Sequence, residues 1–466
     1  MKQYDLFINN EWVKSDSNDW ITVENPATKE EMYQVPAASE NDVNKAVEGA
    51  KNALYDWKMT KASERADYIQ KMFDYLKSKE DEITEVIINE LGSVVKITKE
   101  VHVRSYYDHI DDFIKLTREM NYVDEYDHYD VVKEPVGVVA CLTPWNFPYG
   151  QVIKKVIPAL LMGNTVVLKP SQSTPLTAYY FAEAALEAGL PEGVFQMVTG
   201  RGGEVGNVLA THNDVNMISF TGSTKGGKDV AKLGLDTVKR LALELGGKSP
   251  ALILEGADYE TAIKESLYQV YPNTGQACSS KTRILAPRKD KEEIERIVVE
   301  ISKKFKSGDP RDEKNHFGPL ITKDAYEKVM NYIEIGKEEA TLLFEGETYD
   351  GPGYYVPAVA FTDVDNKSKI AQEEIFGPVV AIIYYDTFEE AIKLANETIY
   401  GLHAHIFGPD DIALKAASMI DAGQVLINTG KRTHRAPFGG FKQSGLGREG
   451  GIYGLEEYLE LKTIYR

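Results

Sequence analysis

The stretch Val136-Gly137-Val138-Val139-Ala140-Cys141-Leu142, followed by Thr143-Pro144-Trp145-Asn146-Phe147-Pro148, decides the fold. Seven uncharged residues rich in valine read as a strand buried on both faces. The two prolines stop that strand, and Gln151–Met162 then spaces its apolar residues as a helix does. Strand, polar turn and helix make the first half of a crossover unit. The pattern recurs downstream, with strand-like Thr165–Leu168, Val194–Val198, Asn216–Phe220 and Val238–Leu243, and helical Leu176–Ala188 among them. A second series after Gly247 has Ala251–Leu254, Arg283–Ala286, Val379–Tyr384 and Gln424–Ile427 as strands. Such alternation feeds mostly parallel sheets, so two α/β domains are expected, with a boundary near Gly246-Gly247.

Upstream, Ala46–Met59 and Arg65–Ile88 show amphipathic helical spacing, and the first third reads as mostly helical. Two segments fit neither domain. Asn121–Tyr129 is acidic and aromatic and leads into Val131-Val132, and Leu455–Arg466 has strand-like character. Extended pieces of this kind carry open edges that need a partner chain.

At 466 residues the chain exceeds one ordinary core. Acidic residues outnumber Lys and Arg by 72 to 53, a formal net charge of -19, which repels a phosphate backbone and argues against nucleic-acid binding. A local basic pocket for a small anion stays open. There are only two cysteines, Cys141 and Cys278, and no CxxC, which predicts a reducing compartment without a disulfide framework. Met1–Asp19 lacks a basic patch followed by an apolar run, and no run reaches the roughly 20 apolar residues that span a bilayer. A cytoplasmic chain with no membrane partner is expected.

Several strings imitate motifs. Gly222 to Lys228 matches GxxxxGK, but Asp229 stands where a P-loop needs Ser or Thr. Gly247-Lys248-Ser249 has Ala242 in place of the leading glycine, and Gly200-Arg201-Gly202-Gly203 does not satisfy GxGxxG. A P-loop ATPase or kinase is therefore disfavoured. His403 and His405 lie on a probable strand without a nearby Cys or carboxylate, so no metal site is assigned.

The informative residues are dispersed: Thr143 to Pro148; Leu168-Lys169-Pro170-Ser171; Phe220 to Thr224; Leu243-Glu244-Leu245-Gly246-Gly247-Lys248; Gly275-Gln276-Ala277-Cys278; Glu374 to Pro378; and Pro437-Phe438-Gly439-Gly440. All fall near the carboxyl ends of strands, where open α/β sheets bind ligands. In this order and spacing the sequence resembles the aldehyde dehydrogenase superfamily over essentially its whole length. The resemblance implies two Rossmann-like α/β domains with a small β oligomerisation arm. Residues 1–120 and 136–246 would bind the dinucleotide, 247–450 would be catalytic, and 121–135 with 451–466 would form the arm of a homodimer or homotetramer.

From the residues alone, Cys278 lies in a polar loop flanked by Ser279 and Ser280, where a thiolate can be accessible, and Cys141 reads as buried ballast. The resemblance implies that Cys278 attacks a small-molecule aldehyde, with the Asn146 amide and the Cys278 N–H as oxyanion donors, and that NAD or NADP accepts the hydride. It places the hydrolytic base on Glu244, whose apolar neighbours would raise its pKa, and relatives that transfer to coenzyme A commonly lack that carboxylate. By the same carry-over Thr143, Trp145, Lys169 and Gln172 would face the cofactor. Gly202 and Gly206 would line its adenine, Gly222 and Ser223 its pyrophosphate, and Gly246, Glu374 and Phe376 its nicotinamide half. Members that prefer NAD usually carry Glu at the position of Gln172, so tolerance of NADP is expected. Lys431 to Arg435 could attract a carboxylate-bearing semialdehyde or could be a solvated loop, and Tyr271 and Pro272 hint at a substrate lining. A non-catalytic relative acting as a binding protein is the reading that loss of Cys278 or Glu244 would have favoured.

Overall fold

The computed structural model describes residues 1–466. An eight-stranded sheet runs Gly445–Leu446, Arg240–Glu244, Met217–Thr221, Val138–Leu142, Thr165–Lys169, Phe195–Met197, Leu6–Ile8, Glu11–Val13. The five strands from Arg240–Glu244 to Phe195–Met197 are parallel. Chain order leaves Val138–Leu142 in both directions, so the sheet has a switch point beside that strand, the position where such sheets open a crevice. Register pairs Leu142 with Lys169 and with Phe220, and Thr221 with Glu244, which brings these strand ends to one edge.

A seven-stranded second sheet runs Thr341–Glu345, Val359–Thr362, Val379–Tyr385, Arg283–Pro287, Pro250–Ile253, His403–Phe407, Gln424–Ile427. All its pairings are parallel except the first. Alternation along the strands explains the packing. Val139 and Cys141 enter one apolar core, and Val138, Ala140 and Leu142 enter another across the sheet. In the second sheet Ala251 and Ile253 face one core, and Leu252 and Leu254 the other. Each buried Val, Leu or Ile contributes about 1.5–3 kcal/mol relative to leaving it in water, which is why these runs carry no charge.

The expected strands all form, with ends moved by one or two residues. Three expectations change. Arg65–Ile88 is two helices, Ala62–Ser78 and Glu80–Leu91, because Lys79 leaves helical geometry between them. The first third also contains five strands between Lys2 and Pro36, three of them only two or three residues long. The C-terminal stretch opens with a helix, Gly451–Glu456, before the strand Leu459–Tyr465. That strand pairs antiparallel with Tyr129–Pro135, which pairs with Val123–Glu125, giving a three-stranded arm.

Asn164 ties three of these pieces together. Its Oδ1 accepts from the Gly137 N–H at 2.9 Å, and its Nδ2 donates to the carbonyls of Ala159 (3.1 Å) and Tyr458 (3.0 Å), with the asparagine fully buried. Removing one partner strands the others in an apolar setting. Asn164→Ala is expected to lose about 2–4 kcal/mol of stability, read as a lower urea midpoint at unchanged slope; an unchanged midpoint would remove Asn164 from this role.

Candidate active site

Cys278 is delivered by an unusual turn. Asn273, Thr274 and Gly275 all adopt left-handed backbone, with φ of 53°, 57° and 73°. For Asn273 and Thr274 this costs about 1–2 kcal/mol each, so the surroundings must hold it. Gly275 is required: a β-carbon there would lie 2.1 Å from the Gly377 carbonyl. The Asn273 amide donates to the carbonyls of Asn146 (3.1 Å) and Gln276 (3.2 Å), and the Asn146 amide donates to Gln276 (3.0 Å). Thr274 Oγ1 donates to Gly318 and the Gln276 side chain accepts from the Ile321 N–H. The loop from the second sheet is thus bonded directly to the turn that closes the strand Val138–Leu142. Tyr271, expected as a lining residue, is instead fully buried core, packed on Phe305 with its hydroxyl at Ser302.

Two adjoining cavities lie along the strand ends. The larger, about 790 Å³, is lined by Thr143, Trp145, Lys169, Gln172, Gly202 and Gly206. The smaller, about 220 Å³, is lined by Asn146, Cys278, Gly222, Ser223, Gly246, Glu374 and Phe376. Trp145 and Thr221 belong to both. Trp145 and Phe376 meet edge to face at 5.5 Å between them. Of the catalytic and cofactor residues expected from sequence, only Glu244 lines neither cavity. It is buried at the end of its strand beside Thr221, with Oε1 against Gly439 and Oε2 without a hydrogen-bond partner.

The electrostatics explain this setting. Burial, then the nearby Glu449, hold the Glu244 carboxyl well above the usual carboxylate range, as the apolar flanks implied. Cys278 departs from its expectation. Its side chain is half-buried rather than open, and burial followed by the Glu374 and Glu244 charges pushes its thiol up to about 12. A polar loop sequence does not favour a thiolate when two carboxylates stand behind it. Cys141 is buried ballast, also pushed to about 12.

Sequence reading missed a buried ion pair. Lys155 Nζ lies 2.6 Å from Glu449 Oε1, neither reaching solvent, and also meets Ser219 Oγ at 3.3 Å. Both partners sit close enough to Glu244 for their charges to act on it. A lysine among Val152, Ile153 and Val156 was the available signal. Asn273 was missed because its role is in its backbone shape. His405 is held by Gln269 (3.0 Å) and the Asn428 carbonyl (2.7 Å), and no group of three or more His, Cys, Asp or Glu converges as metal ligands would.

The larger cavity fits a dinucleotide. Gly202 and Gly203 have nothing within 4 Å where β-carbons would be, leaving backbone open to a flat ring. Lys169, buried with its pKa lowered to about 8 by desolvation, gives only one bond, to the Pro170 carbonyl (2.8 Å). The helix Thr224–Leu235 begins at the wall with Ser223 as its cap, presenting the N-terminal N–H groups that suit a pyrophosphate. Glu374, its Oε1 accepting from the Gly247 N–H at 2.9 Å, leaves a second oxygen for ribose hydroxyls.

Comparisons with known proteins agree with this geometry. A family model described as the aldehyde dehydrogenase family matches residues 12–464. A putative aldehyde dehydrogenase from Staphylococcus haemolyticus is 41% identical over 467 residues, 98% of each chain. The crystal structure of a mutant of aldehyde dehydrogenase C from Pseudomonas syringae, complexed with NAD+ and octanal, superposes with a TM-score of 0.97 at 39% identity, covering 99% of this chain and 96% of that one. A Mycobacterium tuberculosis aldehyde dehydrogenase complexed with NAD+ gives 0.97 at 38% identity over 100% and 98%. The chain belongs to the aldehyde dehydrogenase family and is an NAD(P)-dependent oxidoreductase of aldehydes.

Proposed function

We propose that the protein oxidises an aldehyde to the free carboxylic acid, with Cys278 as nucleophile, Asn146 as oxyanion donor and Glu244 as hydrolytic base. The observation that carries this is the shared wall of the smaller cavity: Cys278 and Asn146 both line it, with the Asn146 amide bonded into the Cys278 loop. Cys278 loses its S–H proton to water and forms a C–S bond to the carbonyl carbon, and the oxygen becomes an alkoxide. The second Asn146 N–H, together with the Cys278 N–H, stabilises that charge; one such donor is typically worth about 3–4 kcal/mol. When bound, NAD or NADP supplies the hydride acceptor. Loss of hydride from carbon restores the carbonyl as a thioester. Water then attacks it, Glu244 takes the water proton, and the C–S bond breaks to return sulfur. Lys155 and Glu449 set the charge around Glu244.

The cofactor residues fall under the same reading. Lys169 and Gln172 would face the adenosine ribose, Thr143 and Trp145 the crevice wall, Gly202 and Gly206 the adenine, Gly222 and Ser223 the pyrophosphate, and Gly246, Glu374 and Phe376 the nicotinamide half. Residues 1–120 and 136–246 would act as the dinucleotide domain, 247–450 as the catalytic domain, and 121–135 with 451–466 as the arm. Leu461, Ile464 and Tyr465 expose apolar side chains on the arm, which supports its use in a homodimer or homotetramer. No helix is long and apolar enough to cross a membrane. A catalytic thiol and a second unpaired cysteine fit the reducing cytoplasm.

Cys278→Ala is expected to abolish formation of reduced cofactor, followed at 340 nm. Glu244→Gln should keep a single burst per active site and lose about 10²–10⁴ in steady turnover. The raised pKa has a sign: the base works only after losing its proton, so steady turnover should rise with pH through a value above the ordinary carboxylate range. A Glu244→Gln enzyme with undiminished steady turnover, or a wild-type rate requiring coenzyme A, would overturn the hydrolytic assignment.

Gln172 offers a neutral amide at the larger cavity and Lys169 lies on the same wall, while Asp229, the one carboxylate lining that cavity, is paired with Lys225 at 2.7 Å. NADP should serve within a hundredfold of NAD in kcat/KM. A larger preference for NAD would count against Gln172 as the discriminating residue.

A further inference from the structure

Three basic side chains near Cys278 have no carboxylate partner, although the chain is strongly acidic. Lys154 is the first. Gly150 lies one helical turn earlier on Pro148–Leu161, where a β-carbon would stand 1.9 Å from the Tyr106 ring. Spacing of four puts Lys154 on the same face, and its Nζ lies 6.0 Å from the Tyr106 ring centre and 4.6 Å from that of Phe438. Its neighbour Lys155 takes Glu449 instead. Tyr106, Lys154, Lys281 and Arg432 all lie within electrostatic reach of Cys278.

Arg432 is the second cation. Its Nη2 donates to the neutral Gln269 Oε1 at 3.1 Å. The rest of its loop is tied to the helix Tyr107–Glu119: His434 Nδ1 meets His109 Nε2 at 2.7 Å, and Arg435 Nε donates to Asp112 at 2.9 Å. His109 in turn stacks on Tyr106 at 5.4 Å. These bonds occupy His434 and Arg435 and leave Arg432, like its exposed neighbour Lys431, without an acid partner; of the two, Arg432 stands at the rim within electrostatic reach of the nucleophile. Lys281, three residues beyond Cys278, is fully buried and its Nζ has no hydrogen-bond partner. Burial holds its pKa well below the lysine range, with Arg432 adding to the effect.

Acids pair Lys155 and Arg435 in the immediate neighbourhood, so the missing counter-charges at Lys154 and Arg432, beside the unpartnered amine of Lys281, mark a place where the negative charge arrives with a ligand. We propose that Lys154 and Arg432, backed by Lys281, receive a carboxylate at the far end of the aldehyde, making ω-carboxylate semialdehydes the preferred substrate class. The Arg fork matches a planar carboxylate, and Tyr106 and Phe438 supply apolar walls for the methylenes between the two ends. This deepens the dehydrogenase reading and rests on Cys278 as nucleophile.

The test compares 4-oxobutanoate with pentanal, a neutral aldehyde of similar length, using NAD and the intact enzyme. A kcat/KM ratio of about tenfold or more in favour of the acid is expected. Arg432→Gln and Lys154→Gln should each lower that ratio at least about fivefold, chiefly through KM for the acid. Arg432 lies at the exposed rim, so its variant keeps the test alive should the Lys154 variant not fold. Pentanal oxidised as well as or better than 4-oxobutanoate by the wild type, or a ratio unmoved in the folded variants, would overturn the carboxylate site and leave the dehydrogenase reading intact. Failure of both aldehydes to reduce NAD would bring down both.

Discussion

Two sheets that share no parallel strand pair must present groups to the same carbonyl carbon, and the hydrogen bonds among Asn146, Asn273 and Gln276 impose that registration. Asn146 hangs from the first sheet and Cys278 from the second, so independent drift of either sheet would separate them. Left-handed Asn273 and Thr274 are tolerable only because their side chains complete this web and Gly275 lets the Gly377 carbonyl close in. The Gly445–Leu446 strand, joined to Arg240–Glu244, adds a second clamp from the C-terminal side.

Charge placement follows from that closure. Squeezing Glu244, Glu374 and Cys278 into one desolvated region opposes ionisation of all three. A buried pair, Lys155 with Glu449, lies beside Glu244, and such pairs persist only when well bonded. Ser219 supplies a further contact to Lys155 and also meets the Tyr458 hydroxyl at 2.9 Å. The residue leading into the arm's last strand is therefore wired to the same network as the base, which connects the edge of the molecule to its chemistry through a short chain of side chains.

The parallel strands were legible because strands buried on both faces are mostly apolar, and the runs from Val136 and Thr165 advertise this. Cys278, Asn146 and the cofactor residues were legible because strand-end turns are marked by Gly, Pro and polar residues at fixed order. The N-terminal strands were not, since Lys2–Gln3, Leu6–Ile8 and Glu11–Val13 have only two or three residues and Trp20–Glu24 and Glu31–Pro36 carry polar residues among the apolar ones, and the break at Lys79 was hidden by helix-forming residues on both sides. The ionisation of Cys278 was illegible for a different reason: Glu374 and Glu244 approach it from 96 and 34 positions away, and local sequence shows only the neighbouring serines. The unpaired state of Arg432 depends likewise on Asp112 and His109 having engaged its loop neighbours.

The upward-shifted Cys278 also bears on how the enzyme survives between turnovers. Peroxide and alkylating agents react with the anion of sulfur, not with its protonated form. At Cys278, burial and the neighbouring Glu374 and Glu244 disfavour that anion. The same desolvation that makes the nucleophile reluctant thus also works against oxidation of an idle site.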